Sequence, residues 1–183
     1  VLPLFFFFFS PTKPITGWLE EWLPAYTIPD RVDVHAMSQI QYEYKYREPP
    51  RLVWAGYEGN ADSAEEIRGE AKALGLPFDV ISLSQPVSFT QFWGMVATRD
   101  IFVNPRIDEG RLRYKSRNKS WIAWAMGMPV IERASELVRM LPVEYRLTKA
   151  MTRQRWVQHH ANIEKSAADW RRIYRKEKRL LLT

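Results

Sequence analysis

A short basic turn, Tyr114–Ser120, holds the residues best suited to chemistry in this sequence. It reads Tyr-Lys-Ser-Arg-Asn-Lys-Ser and comes directly before a segment predicted to be a helix. The start of a helix offers backbone N–H groups and the positive end of a dipole, and together these attract anions. Five side chains of the turn would add charge and hydrogen bonds: Lys115, Ser116, Arg117, Asn118 and Lys119. The turn is therefore a candidate diphosphate site, with a solvated basic turn as the alternative that composition alone favours.

A second candidate is the loop Gly56–Asn60, which follows an apolar run. A glycine at the end of a strand lets a ligand approach the backbone closely, although it is also common in ordinary turns. Gly56, Tyr57 and Asn60 are the residues of this loop that we expect near a ligand. The sequence has no Gly-x-Gly-x-x-Gly fingerprint, no Walker A loop and no Gly-x-Ser-x-Gly elbow. It therefore gives no support to a classical NAD-binding domain, a P-loop enzyme or an α/β-hydrolase.

Composition removes several further classes. The chain has 183 residues and no cysteine, which excludes disulfide scaffolds, thiolate catalysis and cysteine-ligated metal centres. It has three histidines, and we expect no metal site. Asp33 and His35 lie close together, but such a pair is more typical of a loop or a helix cap than of a catalytic or metal pair.

The candidate residues lie between elements that alternate in type. Apolar runs predict strands, and segments with apolar residues at helical spacing predict helices. The predicted strands are residues 51–56, 78–83, 100–105 and 129–131, and the predicted helices are 63–74, 89–98 and 116–126. Short connections between alternating elements favour an α/β fold with a Rossmann-like, doubly wound parallel sheet. Ligands of such sheets bind beyond the carboxyl ends of the strands, where both candidate segments lie.

Charge divides the chain into unequal parts. Residues 146–180 carry eleven Lys or Arg and three Asp or Glu, whereas the remainder is close to neutral. We therefore expect an N-terminal extension or linker (1–50), a Rossmann-like domain (51–145) and a basic C-terminal helical segment that packs on it (146–183). In the extension, Trp18 and Trp22 have helical spacing and are predicted to pack; the five phenylalanines Phe5–Phe9 are given no function.

Four motifs in order carry a resemblance to a known family. They are LVWAGYEGN (52–60), DIFVNP (100–105), KSRNKS (115–120) and AWAMGMPVI (123–131). In this order they resemble the C-terminal, donor-binding domain of glycosyltransferases of the GT-B fold, in the group 1 or family 4-like branch. The basic terminal stretch is similar to the closing helices of that family. The resemblance implies half of a GT-B enzyme, with an acceptor domain or subunit supplied separately.

That resemblance also implies roles for individual residues. Lys115, Ser116, Asn118 and Lys119 would bind the diphosphate of a nucleotide-sugar, which is the substrate and not a cofactor, and would stabilise it as the leaving group without a metal. Ser84 and Gln85 would lie near the nucleobase. Positions where the family has glutamates for the ribose hold Tyr114 and Ile122, so Glu132 and Glu136 are the candidates for that role. The catalytic base stays unassigned. We expect a cytoplasmic protein, either free or bound peripherally to a membrane.

Two alternatives stay open. The chain could be an interaction protein that keeps the fold without the donor site, as the missing glutamates would allow. The basic segment Arg146–Arg179 could also bind a membrane surface, a nucleic acid or another polyanion, because it interleaves cations with aromatic residues. For Trp170 within it, packing on the domain is the preferred interpretation.

Overall fold

The computed structural model describes residues 8–40, 42–43, 47–82, 87–106 and 116–180. Its centre is a four-stranded, all-parallel sheet made of β3 (Leu52–Gly56), β4 (Phe78–Ser82), β5 (Ile101–Val103) and β6 (Val130–Ile131). The connections are helical: α3 (Glu65–Ala73), α4 (Phe89–Ala97) and α5 (Asn118–Ala125). The predicted α/β class and parallel sheet are confirmed.

In the strand order β4-β3-β5-β6, β4 is added on one side of β3, and β5 and β6 are added on the other. The switch point of the sheet therefore lies between β3 and β5. The chain runs outward from β3 to the edge strand β4 and then crosses back to β5 on the other side of β3. At such a switch point the loops that leave the two neighbouring strands diverge, and a crevice opens between them. The sheet therefore provides a ligand cleft where Gly56 and Val103 end their strands.

Side chains that alternate along β3 separate two cores. Leu52 and Trp54 face one layer, with the buried Ile67 and Ala71 of α3. Val53 and Ala55 face the other layer, which α4 and α5 cover together with the following helix α6 (Val143–His160). Every residue of β3 is buried, as expected for a central strand covered by helices on both faces.

The helix boundaries follow local signals. Ser88 caps α4 and Gln91 returns the hydrogen bond, which completes a capping box. Gly127, at φ 84°, ends the turn after α5, and Gly75, at φ 67°, follows α3 in the same way. The helix predicted to begin at residue 63 is preceded by a 3₁₀ helix, Glu58–Ala64, so that its α-helical part is shorter.

Polar residues tie the sheet together at its amino end. The buried Asp100 accepts a hydrogen bond from the backbone N–H of Arg51 at 2.7 Å. Asp79 accepts hydrogen bonds from Arg51 and Arg99 at 2.9 and 2.7 Å. Burial of the Asp79 carboxyl works to raise its pKa, but the hydrogen bonds and charges of both guanidinium groups prevail, and the pKa lies below its ordinary value. These carboxylates join strands, and they lie at the end opposite the cleft.

The N-terminal extension forms a small unit of its own. Strands β1 (Phe8–Ser10) and β2 (Ala25–Thr27) pair in parallel and are connected by α1 (Lys13–Leu19). The predicted packing of the tryptophans is wrong, because Trp18 and Trp22 are 59% and 71% exposed. The next helix, α2 (Val34–Ser38), is capped by Asp33, whose carboxylate accepts from the N–H of Ala36 at 2.9 Å; the expected capping role is confirmed.

Two long helices close the chain. α6 packs against α5, and its Arg146 is fully buried, donating hydrogen bonds to the carbonyls of Met140, Leu141 and Arg47. The last helix, α7 (Ile163–Leu180), reaches back to the N-terminal unit, where Asp169 pairs with Arg31 at 2.7 Å. Arg146 thus supports the fold, and the exposed basic surface of the tail begins after it.

Candidate functional site

A cleft of about 750 Å³ opens beyond the carboxyl ends of β3 and β5. Its lining combines the two candidate segments with residues of α4 and of the loop after β5. The lining residues are Trp54, Tyr57, Asn60, Ser63, Val87, Phe89, Phe92, Trp93, Asn104, Pro105, Arg106, Ser116, Asn118, Lys119 and Ile122. The topology therefore places the ligand-sized cavity at the switch point of the sheet.

Lys119 connects the basic turn to the end of β3. Its ammonium donates a hydrogen bond to the carbonyl of Ala55 at 3.0 Å and lies 5.9 Å from the centre of the Trp54 ring. A Cβ at position 56 would lie 2.8 Å from Lys119 Nζ and 3.1 Å from the Trp54 ring. Glycine at position 56 is thus the residue that lets the lysine cross the end of the strand. The positive charge is held beside the cleft by β3 itself.

The first turn of α5 and the residues just before it supply further polar groups. Ser116, Asn118 and Lys119 all line the cleft and are partly buried. The amino end of a helix carries a partial positive charge, which here has the same sign as the ammonium beside it. This side of the cleft therefore favours an anion, and Arg106, which also lines it, adds a guanidinium.

A buried chain of hydrogen bonds fixes the first turn of α5. Asn104 Nδ2 donates to Ser120 Oγ at 2.7 Å, and Ser120 Oγ donates to Glu132 Oε1 at 2.8 Å. Asn104 follows β5 and Glu132 follows β6, so the chain joins two strand ends to the helix. Ser120 is fully buried and uses its hydroxyl once as donor and once as acceptor. These bonds fix the position of α5 relative to the strand ends, and with it the position of the preceding residue, Lys119.

Another part of the cleft wall is apolar. Val87, Phe89, Phe92 and Trp93 come from α4 and its approach, and Ile122 comes from α5. Phe89 is 52% exposed, whereas Trp93 is buried and packs edge-on against Phe92 with 5.4 Å between ring centres. A planar or apolar group of a ligand could rest on this wall while its anionic part meets Lys119.

The remaining predicted residues are distributed as follows. Gly56, Tyr57 and Asn60 lie at the cleft, with Tyr57 strongly exposed. Glu132 is engaged with Ser120, and Glu136 Oε2 accepts from the backbone N–H of Glu132 at 2.8 Å, so neither carboxylate is among the lining groups. Lys115, Ser84 and Gln85 lie outside the described residues.

Several lining residues were not proposed from the sequence. Arg106 and Ser63 carry no local signal, because a single polar residue after a strand or in a turn is common. Phe92 and Trp93 have helical spacing, which predicts packing in the core, and the structure shows that the same aromatic cluster also forms a cleft wall. Only the strand order reveals that role, since it sets α4 beside α5.

In the described ranges no three His, Asp or Glu side chains gather where they could hold a metal ion. Within those same ranges no helix combines the length and the apolar character needed to cross a membrane.

Comparison with known proteins identifies no family. No protein-family model matches the chain, and no curated protein matches it significantly.

Proposed function

We propose that this chain binds a nucleoside-diphosphate sugar and forms the donor-binding half of a glycosyltransferase. The observation that carries the proposal is the cleft at the switch point, whose lining combines cationic side chains with aromatic ones. A nucleotide has the same division, since it joins an anionic phosphate group to a planar base. The lining of the cleft supports the class of the ligand, and the resemblance of the four motifs supports the sugar transfer.

The cationic wall matches the charge of a diphosphate. Lys119 and Arg106 offer N–H donors to phosphate oxygens, and Ser116 and Asn118 offer neutral ones. When the bond between the sugar and the diphosphate breaks, negative charge grows on the departing phosphate. Donors that are already positioned stabilise that charge without reorganising, which is electrostatic catalysis. In this proposal Lys119 binds the donor and also lowers the barrier to transfer.

The aromatic wall would take the base. Phe89 is accessible, and Phe92 and Trp93 back it with a rigid cluster. Stacking of a base on an aromatic side chain contributes roughly 1–3 kcal/mol, enough to separate a nucleotide from bare pyrophosphate in affinity. The acceptor site and the base that activates the acceptor would come from another domain or subunit, as the resemblance implies.

The test is calorimetric titration with UDP, GDP, ADP, their sugar conjugates and inorganic pyrophosphate. We expect one nucleotide to bind, and Lys119→Ala to weaken it about 10- to 100-fold, because a charge-assisted hydrogen bond contributes about 1.5–3 kcal/mol. Lys72→Ala is the matched control, since it removes one exposed positive charge from α3, away from the cleft. Phe89→Ala should weaken the nucleotide and leave pyrophosphate unchanged.

The outcomes separate the proposal from its alternative. If the folded protein binds none of these ligands, the donor-site proposal is refuted, and an interaction protein that has kept the fold becomes the better account. If Lys119→Ala and Lys72→Ala weaken binding equally, the nucleotide responds to net charge and not to the cleft. Unfolding curves of each variant establish that the protein tested is folded.

A further inference from the structure

Helix α7 exposes an apolar stripe that the described residues cover only in part. Ile163, Ala167, Trp170 and Tyr174 follow one another at spacings of four, three and four, so they share one face of the helix. Ile163, Trp170 and Tyr174 are 48%, 46% and 64% exposed. Trp170 packs on Phe9 with 3.8 Å between ring centres, so the predicted packing exists but leaves nearly half of the side chain accessible.

Apart from the contact of Trp170 with Phe9, the side-chain contacts given above for α7 lie on a face next to the stripe. The stripe's neighbour on one side is this packed face, where Ile173 is buried and Asp169 pairs with Arg31. On the other side lie Arg171 and Arg175, each one residue after an aromatic member of the stripe and thus about 100° further round the helix. Both arginines are exposed. The helix therefore presents three adjacent bands: packed, apolar and basic.

Further cations lie elsewhere around α7, where Arg172 pairs with Asp169 at 3.3 Å and Lys176 lies 5.4 Å from the centre of the Tyr26 ring. Every Lys and Arg side chain described on α7 is exposed: Lys165, Arg171, Arg172, Arg175 and Lys176. The acidic Asp169 is turned toward Arg31 in the packed face. The exposed Glu164 lies between Arg171 and Arg175 on this side of the helix. The described exposed side chains of α7 thus carry five positive charges and one negative charge, next to a row of accessible tryptophan, tyrosine and isoleucine.

This arrangement fits a lipid surface better than a nucleic acid. A nucleic acid would use the cations and could stack bases on the aromatic rings, but it offers nothing for Ile163 or Ala167. An anionic bilayer uses all three features, since aliphatic side chains enter the acyl boundary, Trp and Tyr settle at the headgroup level, and Arg and Lys meet the lipid phosphates.

We propose that α7 is an interfacial helix that docks this protein on an anionic membrane through Ile163, Ala167, Trp170 and Tyr174, with Arg171 and Arg175 on the headgroups. The inference is independent of the nucleotide cleft. A groove of about 580 Å³ lies directly beside the stripe, lined by Phe9, Ile28, Ile163, Ala167 and Trp170 and reaching Asn118 of the cleft wall. Docking in this orientation would set that groove against the lipid.

The test is co-sedimentation of the full chain with vesicles of phosphatidylcholine, alone or mixed with phosphatidylglycerol. We expect strong binding only to the mixed vesicles. Each cation near an anionic leaflet raises partition about fivefold, so Arg171→Gln with Arg175→Gln should lower it about 30-fold. The matched control, Arg68→Gln with Lys72→Gln, removes two exposed charges from α3 and should change partition little.

The apolar stripe needs its own pair of variants. Tyr174→Ser should weaken vesicle binding severalfold, and the weakening should persist at high salt, because the change removes an aromatic contact with the bilayer and not a charge. Trp22→Ser removes an equally accessible aromatic residue from the N-terminal unit and should have no effect. Circular dichroism and thermal unfolding show whether each variant keeps the fold.

Three results would overturn the proposal. The first is absence of binding to the mixed vesicles. The second is an equal loss in the two charge variants, which would mean that the overall net charge of +6 attracts any polyanion. The third is tight, salt-sensitive binding of an RNA oligonucleotide that Arg171→Gln with Arg175→Gln abolishes while vesicles bind weakly; that result would assign α7 to nucleic acid.

Discussion

Replacing Gly56 with alanine should weaken anion binding at the cleft without unfolding the protein. The new Cβ would lie 2.8 Å from Lys119 Nζ, closer than van der Waals contact permits, and 3.1 Å from the ring of Trp54. The end of a lysine side chain can move at little cost, whereas the Trp54 ring is buried in the core. We therefore expect the ammonium to give way and to lose its 3.0 Å hydrogen bond to the carbonyl of Ala55.

The expected magnitude follows from that single displacement. Complete loss of the ammonium, as in Lys119→Ala, corresponds to about 1.5–3 kcal/mol of binding free energy. A displaced ammonium keeps part of its attraction, so Gly56→Ala should cost roughly half as much, or about a 3- to 10-fold rise in Kd for a nucleoside diphosphate. Because the side chain relieves most of the clash, the free energy of unfolding should fall by about 1 kcal/mol or less.

A double-mutant cycle is the assay that tests this reasoning. If Gly56→Ala acts by moving Lys119, it should have almost no further effect on Kd in the Lys119→Ala background. Gly69→Ala is the matched control, because a Cβ at that position of α3 meets no atom within 4 Å. Unchanged affinity in Gly56→Ala, or an equal loss with and without Lys119, would refute the idea that the lysine crossing β3 forms the anion site.

Two further predictions concern stability. The guanidinium groups of Arg51 and Arg99 outweigh burial and lower the pKa of Asp79. The ionised Asp79 carboxylate therefore stabilises the fold fully above the ordinary carboxyl pKa of about 4, and this stabilisation is lost as pH falls through the lowered pKa. Asp79→Asn should therefore reduce the free energy of unfolding by about 1 kcal/mol at pH 7, and denaturant titrations at successively lower pH should show the difference disappearing; a difference that grows in acid would contradict this. Ser120→Ala should lower the free energy of unfolding by about 1–3 kcal/mol, because it leaves Glu132 Oε1 without its donor and Asn104 Nδ2 without its acceptor. Ser116→Ala is the control, since it makes the same change at a partly buried site and should change the unfolding midpoint little.

The parts of the fold that the sequence predicts are those with local signals. The strand at Leu52–Gly56 is a continuous apolar run before a glycine, and the helix at Phe89–Ala97 begins with a capping box. Trp18 and Trp22 show where such signals fail. Their spacing is that of a packed helix face, but β1 and β2 form a two-stranded sheet, and the described residues place no further layer over these side chains.

The candidate site was predictable on its cationic side only. A basic turn before a helix and a glycine after a strand can both be recognised from a few neighbouring residues. In the structure, Lys119, Asn118 and Gly56 do lie together at the cleft. The apolar wall depends on which strands are neighbours. Nothing in the segment around Phe92 distinguishes a residue that fills the core from one that lines a cavity, since the hydrophobic pattern is the same for both.

The polar residues of this sheet have opposite tasks at its two ends. At the amino end, Asp79 accepts hydrogen bonds from two arginines and Asp100 accepts one from the backbone N–H of Arg51, and they hold strands together. At the carboxyl end, the buried hydroxyl of Ser120 is joined to Asn104 and Glu132, and the residue beside it, Lys119, is positioned against β3. An ammonium fixed in this way needs little reorganisation when an anion arrives, and preorganised donors of that kind are what stabilise developing charge. The glutamate that the resemblance would assign to a ribose is thus engaged as a support for the cation, and sugar recognition in this cleft would have to rely on other lining groups, of which Asn60 and Tyr57 lie at the end of β3.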